Sequence, residues 1–415
     1  MIIVVRFTDW QKSDGNDPAV SPYTLQVPET RDHTNNSSEL RVSNPSLTPL
    51  LIVTTFMTLF SIGMIGSSWG SAVTFIKLRF LISDASVGLL GSAQSLGGVL
   101  GNLFTGLLEK RLPAGSRMAL GVALFSFGCL MFFLGQVWLL ALASALILGF
   151  GLGIFQVNYG ALFSRGFGSR SSAMMNVMST SFSFGSIVGP LVVVWLLERF
   201  GLMFLAVAIF TALAIVVVLP ARDSLEVSGT NSSLVFGPKI IGFVVMCVFY
   251  VCAEQGISFW MPSYLLSIGY TLPEAAKVAS AFWIALTAGR FLAIPVSLYL
   301  SSVALVASSL VLAFISLLLT QIHVLAAPAF VASGLFLAPV FPTGLVWINR
   351  EYTSLSATAL YLVSGSVGAL LIAPALGVFK EAFGAPIIPI TLAICAFISL
   401  LATLWLRALP RSSAK

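Results

Sequence analysis

From Pro49 to about residue 406 the chain is a close succession of apolar runs, each long enough to cross a lipid bilayer. Twelve can be separated, at about 49–75, 87–108, 117–134, 138–163, 173–197, 201–220, 239–267, 278–300, 303–321, 325–348, 355–379 and 385–406. A hydrocarbon core about 30 Å thick takes about 20 apolar residues of helix. Inside it every backbone N–H and C=O must be bonded internally, which leaves only helices or closed barrels. Barrel strands alternate over segments of about ten residues, and these runs do not alternate. The chain therefore reads as an all-α polytopic membrane protein of twelve transmembrane helices. Only 9% of its residues are charged, against about 25% in soluble domains. Its 35 glycines and 32 phenylalanines suit packed membrane helices, where small residues let backbones approach.

Residues 1–48 form a polar tail rich in Ser, Asn, Asp and Pro, a composition that favours disorder. The apolar start, Met1 to Val5, is too short for a secretory signal and ends at Arg6. The one sizeable internal break, 221–238, carries Arg222, Asp223 and Glu226 and divides the runs six and six. This predicts an N-terminal bundle over 49–220, a cytoplasmic linker over 221–238, a C-terminal bundle over 239–406 and a cytoplasmic tail over 407–415. Cytoplasmic loops carry an excess of Lys and Arg. With the N-terminus inside, the inner loops and C-tail hold eleven basic residues (Lys110, Arg111, Arg117, Arg165, Arg170, Arg222, Lys239, Arg350, Arg407, Arg411 and Lys415). The outer loops then hold five: Lys77, Arg79, Arg199, Lys277 and Lys380. An N-in, C-in topology follows; the expected location of this multi-pass protein is the plasma membrane. In that topology the sequon at Asn36 is cytoplasmic and unused. The net charge of +6 belongs to these loops and is not a nucleic-acid signal.

The two halves repeat. At a separation of 183 residues, Ser181, Ser183, Gly185, Glu198, Phe200 and Gly201 fall on Ser364, Ser366, Gly368, Glu381, Phe383 and Gly384. At 185, Gly149 and Arg165 fall on Gly334 and Arg350. These matches place the fifth run on the eleventh and the fourth on the tenth, as in a duplicated six-helix unit. Folds built so commonly hold their site near the midplane between repeats.

Two charges lie deep in the second half. Glu254 is twelve residues before Leu266 and Arg290 twelve after Val278, so on antiparallel helices both sit roughly 18 Å in at about 1.5 Å per residue. An unpaired charge at that depth costs about 2.5–3.5 kcal/mol on insertion scales, which makes the two expected partners. Tyr250, Glu254, Ser258 and Met261 recur at helical spacing, as do Trp283, Thr287 and Arg290. Aromatic faces with a few polar groups suit a sugar ring and its hydroxyls. A purely structural clamp between two helices is the competing reading. Gln94, Gln156 and Asn158, uncharged polar groups in apolar runs, are further binding candidates, although such groups often bond only across helices. Trp69 is a candidate cavity wall, with packing as its alternative.

Several classes of function fail on inventory. Two histidines, His33 and His323, and no cluster of acids leave no acid–base or metal constellation. No Gly-Lys-Ser/Thr phosphate loop is present, and no cofactor is expected. The cysteines Cys129, Cys247, Cys252 and Cys395 all lie in apolar runs without metal spacing and read as small buried hydrophobes.

Six plus six helices about a polar middle resemble the major facilitator superfamily. Gly106-Leu-Leu-Glu109-Lys110-Arg111 stands where that family has a Gly-x-x-x-Asp-Arg loop. The resemblance makes Glu109, Lys110, Arg111, Arg165 and Arg350 candidate gating and cytoplasmic-loop residues. In the second half, Tyr250-Val-Cys-Ala-Glu254 with Trp260, Phe282-Trp283 with Gly289-Arg290, and Pro339-Val-Phe-Pro342-Thr are similar to the fucose-permease-like branch, which includes sodium-dependent glucose transporter relatives. Proton-coupled members of that branch carry acids in the first and fourth helices. Here 50–75 has none and the fourth run offers only Gln156 and Asn158.

What the resemblance implies is a monomeric secondary transporter with two pseudo-repeated six-helix bundles, the major facilitator fold. It would move a small polar solute, a sugar by preference, by alternating access with possible proton or sodium coupling. Gly185-Ser-Ile-Val-Gly189-Pro190 resembles instead the fifth-helix motif of drug antiporters, so efflux of a drug or metabolite is the alternative. A non-transporting receptor or scaffold is the alternative of another class.

Overall fold

The computed structural model describes residues 48–109, 111–166, 171–220, 237–352 and 355–409. The tail through 47, the linker from 221 to 236, Lys110 and the C-terminal end from 410 lie outside the described residues. Among those described there is no strand. Thirteen α-helices follow in order: α1 Pro49–Phe80, α2 Asp84–Glu109, α3 Ala114–Leu134, α4 Trp138–Gly166, α5 Ser171–Leu196, α6 Gly201–Val218, α7 Pro238–Ser267, α8 Leu272–Val296, α9 Ser302–Leu319, α10 Ala326–Leu337, α11 Val340–Glu351, α12 Leu355–Phe383 and α13 Ile387–Ala408.

The helix starts are chemically marked. The Thr48 hydroxyl accepts the Leu51 N–H at 3.2 Å, and Pro49, which has no N–H to leave unbonded, takes the first position of α1. At α8 the Glu274 carboxylate accepts the Thr271 N–H at 2.8 Å. Among the described residues, eleven segments are long and apolar enough to cross a membrane, and α10 and α11 together make one of them. The expected tenth helix is thus divided at Ala338–Pro339. Pro339 has no N–H for the Leu335 carbonyl, and Pro342 repeats the defect one turn on. The remaining helix, α2, is 26 residues long, about 39 Å at 1.5 Å per residue, but it is diluted by Gln94, Asn102 and six glycines. Outward-facing side chains such as Leu213, Val216, Phe291 and Leu404 are exposed, a surface that suits hydrocarbon.

The packing is that of two pseudo-repeated bundles. In the first, α1 lies on α5, α2 and α3 on α4, and α3 on α6. In the second, α7 lies on α12, α8 and α9 on the α10 half of the tenth span, and α9 on α13. Two of the sequence repeats have a physical cause. A Cβ on Gly185 would stand 1.9 Å from the Phe60 carbonyl oxygen of α1, and one on Gly368 2.4 Å from that of Val248 in α7. Likewise Gly149 presses on Gln94 of α2 at 1.9 Å, and Gly334 on the Phe282 carbonyl of α8 at 2.8 Å. Each helix pair touches backbone to backbone at the same step of its half, so both copies need glycine there.

The halves meet along α2–α12, α5–α8 and α1–α7. The first two are equivalent pairs under the repeat. On α5–α8 the Ser280 hydroxyl donates to the Ile187 carbonyl at 2.7 Å. On α2–α12 the Ser92 hydroxyl donates to Leu370 O at 2.5 Å. On α1–α7 a Cβ at Gly70 would lie 2.3 Å from Ser258 O. All three contacts sit in the part of the bundle nearer the α1–α2 connection, Leu81–Ser83, and the α7–α8 connection, Ile268–Thr271.

Candidate functional site

Below those contacts a cavity of about 240 Å³ opens between the halves, walled by α1, α2, α4 and α5 on one side and α7, α8 and α12 on the other. Four aromatic rings, Trp69, Phe182, Phe259 and Trp283, supply flat apolar wall. Between them stand four side-chain amides, Gln94, Asn102, Gln156 and Gln255, and the hydroxyls of Ser67, Ser95, Ser258 and Ser366. Among the described residues none lining the cavity is charged. Amides present both donors and acceptors, so such a wall can bond a solute rich in hydroxyls without demanding a formal charge of either sign.

Trp69 is set by packing. Its ring lies 5.2 Å from Phe132, edge-on, and 5.3 Å from Phe204, and it is nearly fully buried. The indole N–H donates to the Gln94 amide oxygen across α1–α2. Gln94, with its oxygen engaged by Trp69, lines the cavity wall. On α2 the lining extends beyond Gln94: Gly91, Ser95, Gly98 and Asn102 also form the wall. On α7 the lining stripe is Gln255, Ser258 and Phe259.

Glu254 sits beside that stripe rather than on it. It is 8% exposed, and its carboxylate accepts the Tyr250 hydroxyl from one turn earlier on α7. Tyr250 is wholly buried and stacks on Phe341 at 6.2 Å. Among the described residues Arg290 of α8 makes no ion pair within 4.0 Å with Glu254. The carboxylate takes the hydrogen bond available on its own helix.

The other candidates divide. Gln156 faces the cavity from α4 and Trp283 from α8, where Trp283 meets Phe182 across the halves at 6.4 Å. Thr287 donates to Trp283 O at 2.8 Å, within its own helix. Asn158 is buried away from the cavity. Its side-chain oxygen accepts from Arg117 Nε at 2.7 Å, and its NH₂ donates to Ile154 O at 2.7 Å, so its polar atoms serve a buried guanidinium. Of the expected gating residues, Arg111 and Arg350 are exposed. The side chains of Glu109 and Arg165, like all of Lys110, lie outside what is described. Asn102, Gln255, Ser67, Ser95, Ser366 and Phe182 were missed by sequence reasoning. The signal for Asn102 was available, since Gln94, Gly98 and Asn102 recur every fourth residue. Gln255 was hidden by its charged neighbour.

With this geometry in place, the Major Facilitator Superfamily description matches residues 51–354. The chain belongs to the major facilitator superfamily. It is a multi-pass integral membrane protein. An uncharacterised MFS-type transporter of Yersinia pestis is 27% identical over 252 residues, 57% of this chain and 64% of that protein. The match thus spans less than two thirds of that relative. Among solved structures, a mutant of the nucleoside transporter NupG superposes with a TM-score of 0.72 at 16% identity, covering 86% of this chain and 99% of that one. A D-xylose-proton symporter gives 0.71 at 15%, covering 88% and 98%. The fucose:proton symporter FucP of E. coli, in a variant form, gives 0.58 at 16%, covering 86% and 99%. At these identities the likeness is one of fold.

Proposed function

We propose that this chain carries a small neutral polar solute, a sugar by preference, across the plasma membrane by alternating access, as a monomer with both termini inside. The observation that carries the reading is the composition of the cavity: four aromatic faces, four amides and four hydroxyls, with no described charge. Aromatic faces accept the C–H side of a sugar ring while amides and serines bond its rim. A cavity of about 240 Å³ is of the order of a monosaccharide. The fold neighbours named for D-xylose, fucose and nucleosides are proteins of neutral hydroxylated solutes, which supports the same class. The efflux alternative rests on Gly185 and Gly189, and both glycines press on α1 backbone, at Phe60 and Met64.

Coupling, in this reading, belongs to Glu254. Among the described residues it is the one carboxylate in the middle of a membrane helix. It lies beside the cavity stripe of α7, with Tyr250 as hydrogen-bond donor. With the N-in orientation, the contacts near Leu81–Ser83 close the outer side and the conformation is inward-facing.

The test is uptake of a panel of neutral monosaccharides into proteoliposomes under imposed proton or sodium gradients. Saturable uptake of at least one, accelerated by a gradient and lost on Gln94→Leu with Gln255→Leu, is expected. No flux of any neutral sugar, together with export of lipophilic cations, would overturn it.

A further inference from the structure

We propose that Asp84, held between Lys77 and Lys380, is an ionic latch that keeps the two halves shut at the face carrying Leu81–Ser83. One oxygen, Asp84 Oδ1, accepts from Lys77 Nζ at 2.8 Å and from Lys380 Nζ at 3.0 Å. Lys77, on α1, belongs to the half that carries Asp84. Lys380, on α12, belongs to the other half, so the second bond crosses between them. The carboxylate side chain is 13% exposed, Lys380 17% and Lys77 32%, so the trio is partly withdrawn from water but not sealed.

Both ends of the crossing bond are held in place. Lys380 also donates to Ser263 Oγ of α7 at 2.8 Å and stands 5.3 Å over the Trp260 ring. At the next residue, the Ala85 N–H donates to the Glu381 carboxylate at 2.7 Å. Two links thus cross between α2 and α12 at adjacent positions. The backbones are in contact there as well, since a Cβ on Gly377 would lie 2.5 Å from Asp84 O.

The arrangement suits opening as well as closing. When α12 swings away, Asp84 keeps Lys77 and Lys380 keeps Ser263, so neither charge is left bare. Only the crossing bonds are lost. An ion pair of this exposure contributes at most about 1 kcal/mol, which sets a two- to five-fold bias toward the closed face. That is large enough to shift a population and small enough for a transport cycle to reverse. The latch rests on the alternating-access reading for its role in the cycle, but its test needs no solute, so the two can fail separately.

The test is the distance between spin labels at Val137→Cys, on the α3–α4 connection, and Val324→Cys, between α9 and α10. Both positions are exposed, one on each half at this face, and the four native cysteines are buried. In the otherwise unaltered full chain in lipid nanodiscs, Asp84→Asn and Lys380→Gln are each expected to shift the ratio of long to short distances two- to five-fold toward long. Raising the ionic strength should move the parent protein the same way. The exchange Asp84→Lys with Lys380→Asp restores opposite charges across the halves and should return the distribution to that of the parent. Unchanged distributions in both single variants, or an exchange variant as open as the singles, would overturn the latch. If one single variant does not yield monodisperse protein, the other carries the same expectation.

Discussion

Glu254 and Gln94 show how differently two polar residues at membrane depth can be employed. Glu254 is buried, bonded by Tyr250 and absent from the cavity wall, whereas Gln94 is fixed by Trp69 on that wall. Glu254→Gln keeps the size and the Tyr250 bond but cannot exchange a proton. We expect gradient-driven accumulation to fall at least about ten-fold, equivalent to about 1.4 kcal/mol, while downhill flux persists. Accumulation at the parent level would remove Glu254 from coupling. Tyr250→Phe strips the buried carboxylate of its donor, an omission that costs about 1–3 kcal/mol, and should lower the melting temperature in detergent. Trp69→Phe preserves the packing on Phe132 and Phe204 but frees Gln94. KM should rise about three- to ten-fold, in keeping with about 1 kcal/mol for one hydrogen bond, with kcat little changed.

At the scale of elements, prolines inside helices do more than bend them. Each leaves the carbonyl four residues earlier without its N–H, and here two of those carbonyls lie between the halves. Pro374 frees Leu370 O, which takes the Ser92 hydroxyl at 2.5 Å, and Pro262 frees Ser258 O, against which Gly70 packs. Ser92→Ala should therefore lower stability by about 1 kcal/mol, read as a melting shift of a few degrees, whereas Ser297→Ala, an exposed serine bonded within its own turn, should not. A Val at Gly185 or Gly368 would overpack the α1–α5 or α7–α12 contact by about 1–3 kcal/mol and should lower the melting temperature in both cases. The helices themselves were legible as apolar runs, even α2 with its amides. The division of the tenth span was not, because counting apolar residues does not register that Pro339 and Pro342 withhold two N–H groups. Helix ends ran past the expected limits, as α1 does to Phe80, because caps and loop contacts set them and hydropathy does not.

For the whole molecule, duplication was readable because glycine is demanded twice, at Gly185 and Gly368 and at Gly149 and Gly334, by the same backbone contact in each half. The site was half readable. Trp69, Gln94, Gln156, Ser258 and Trp283 face the cavity, but rotation about each helix axis decides which side a residue takes, and depth alone does not. That is why Glu254 and Arg290 form no ion pair among the described residues, and why Asn158, near Gln156 in sequence, turns to Arg117 instead. The two halves enclose an amide-lined chamber that, among the described residues, carries no charge. On the function proposed above, this chamber selects a neutral solute. The most direct measurement is competition in proteoliposome uptake between a transported neutral sugar and its charged analogues, a uronate and an amino sugar of the same ring. Unlabelled neutral sugar should inhibit fully, while either charged form should inhibit at least about ten-fold more weakly. Equal or stronger inhibition by a charged analogue would contradict it.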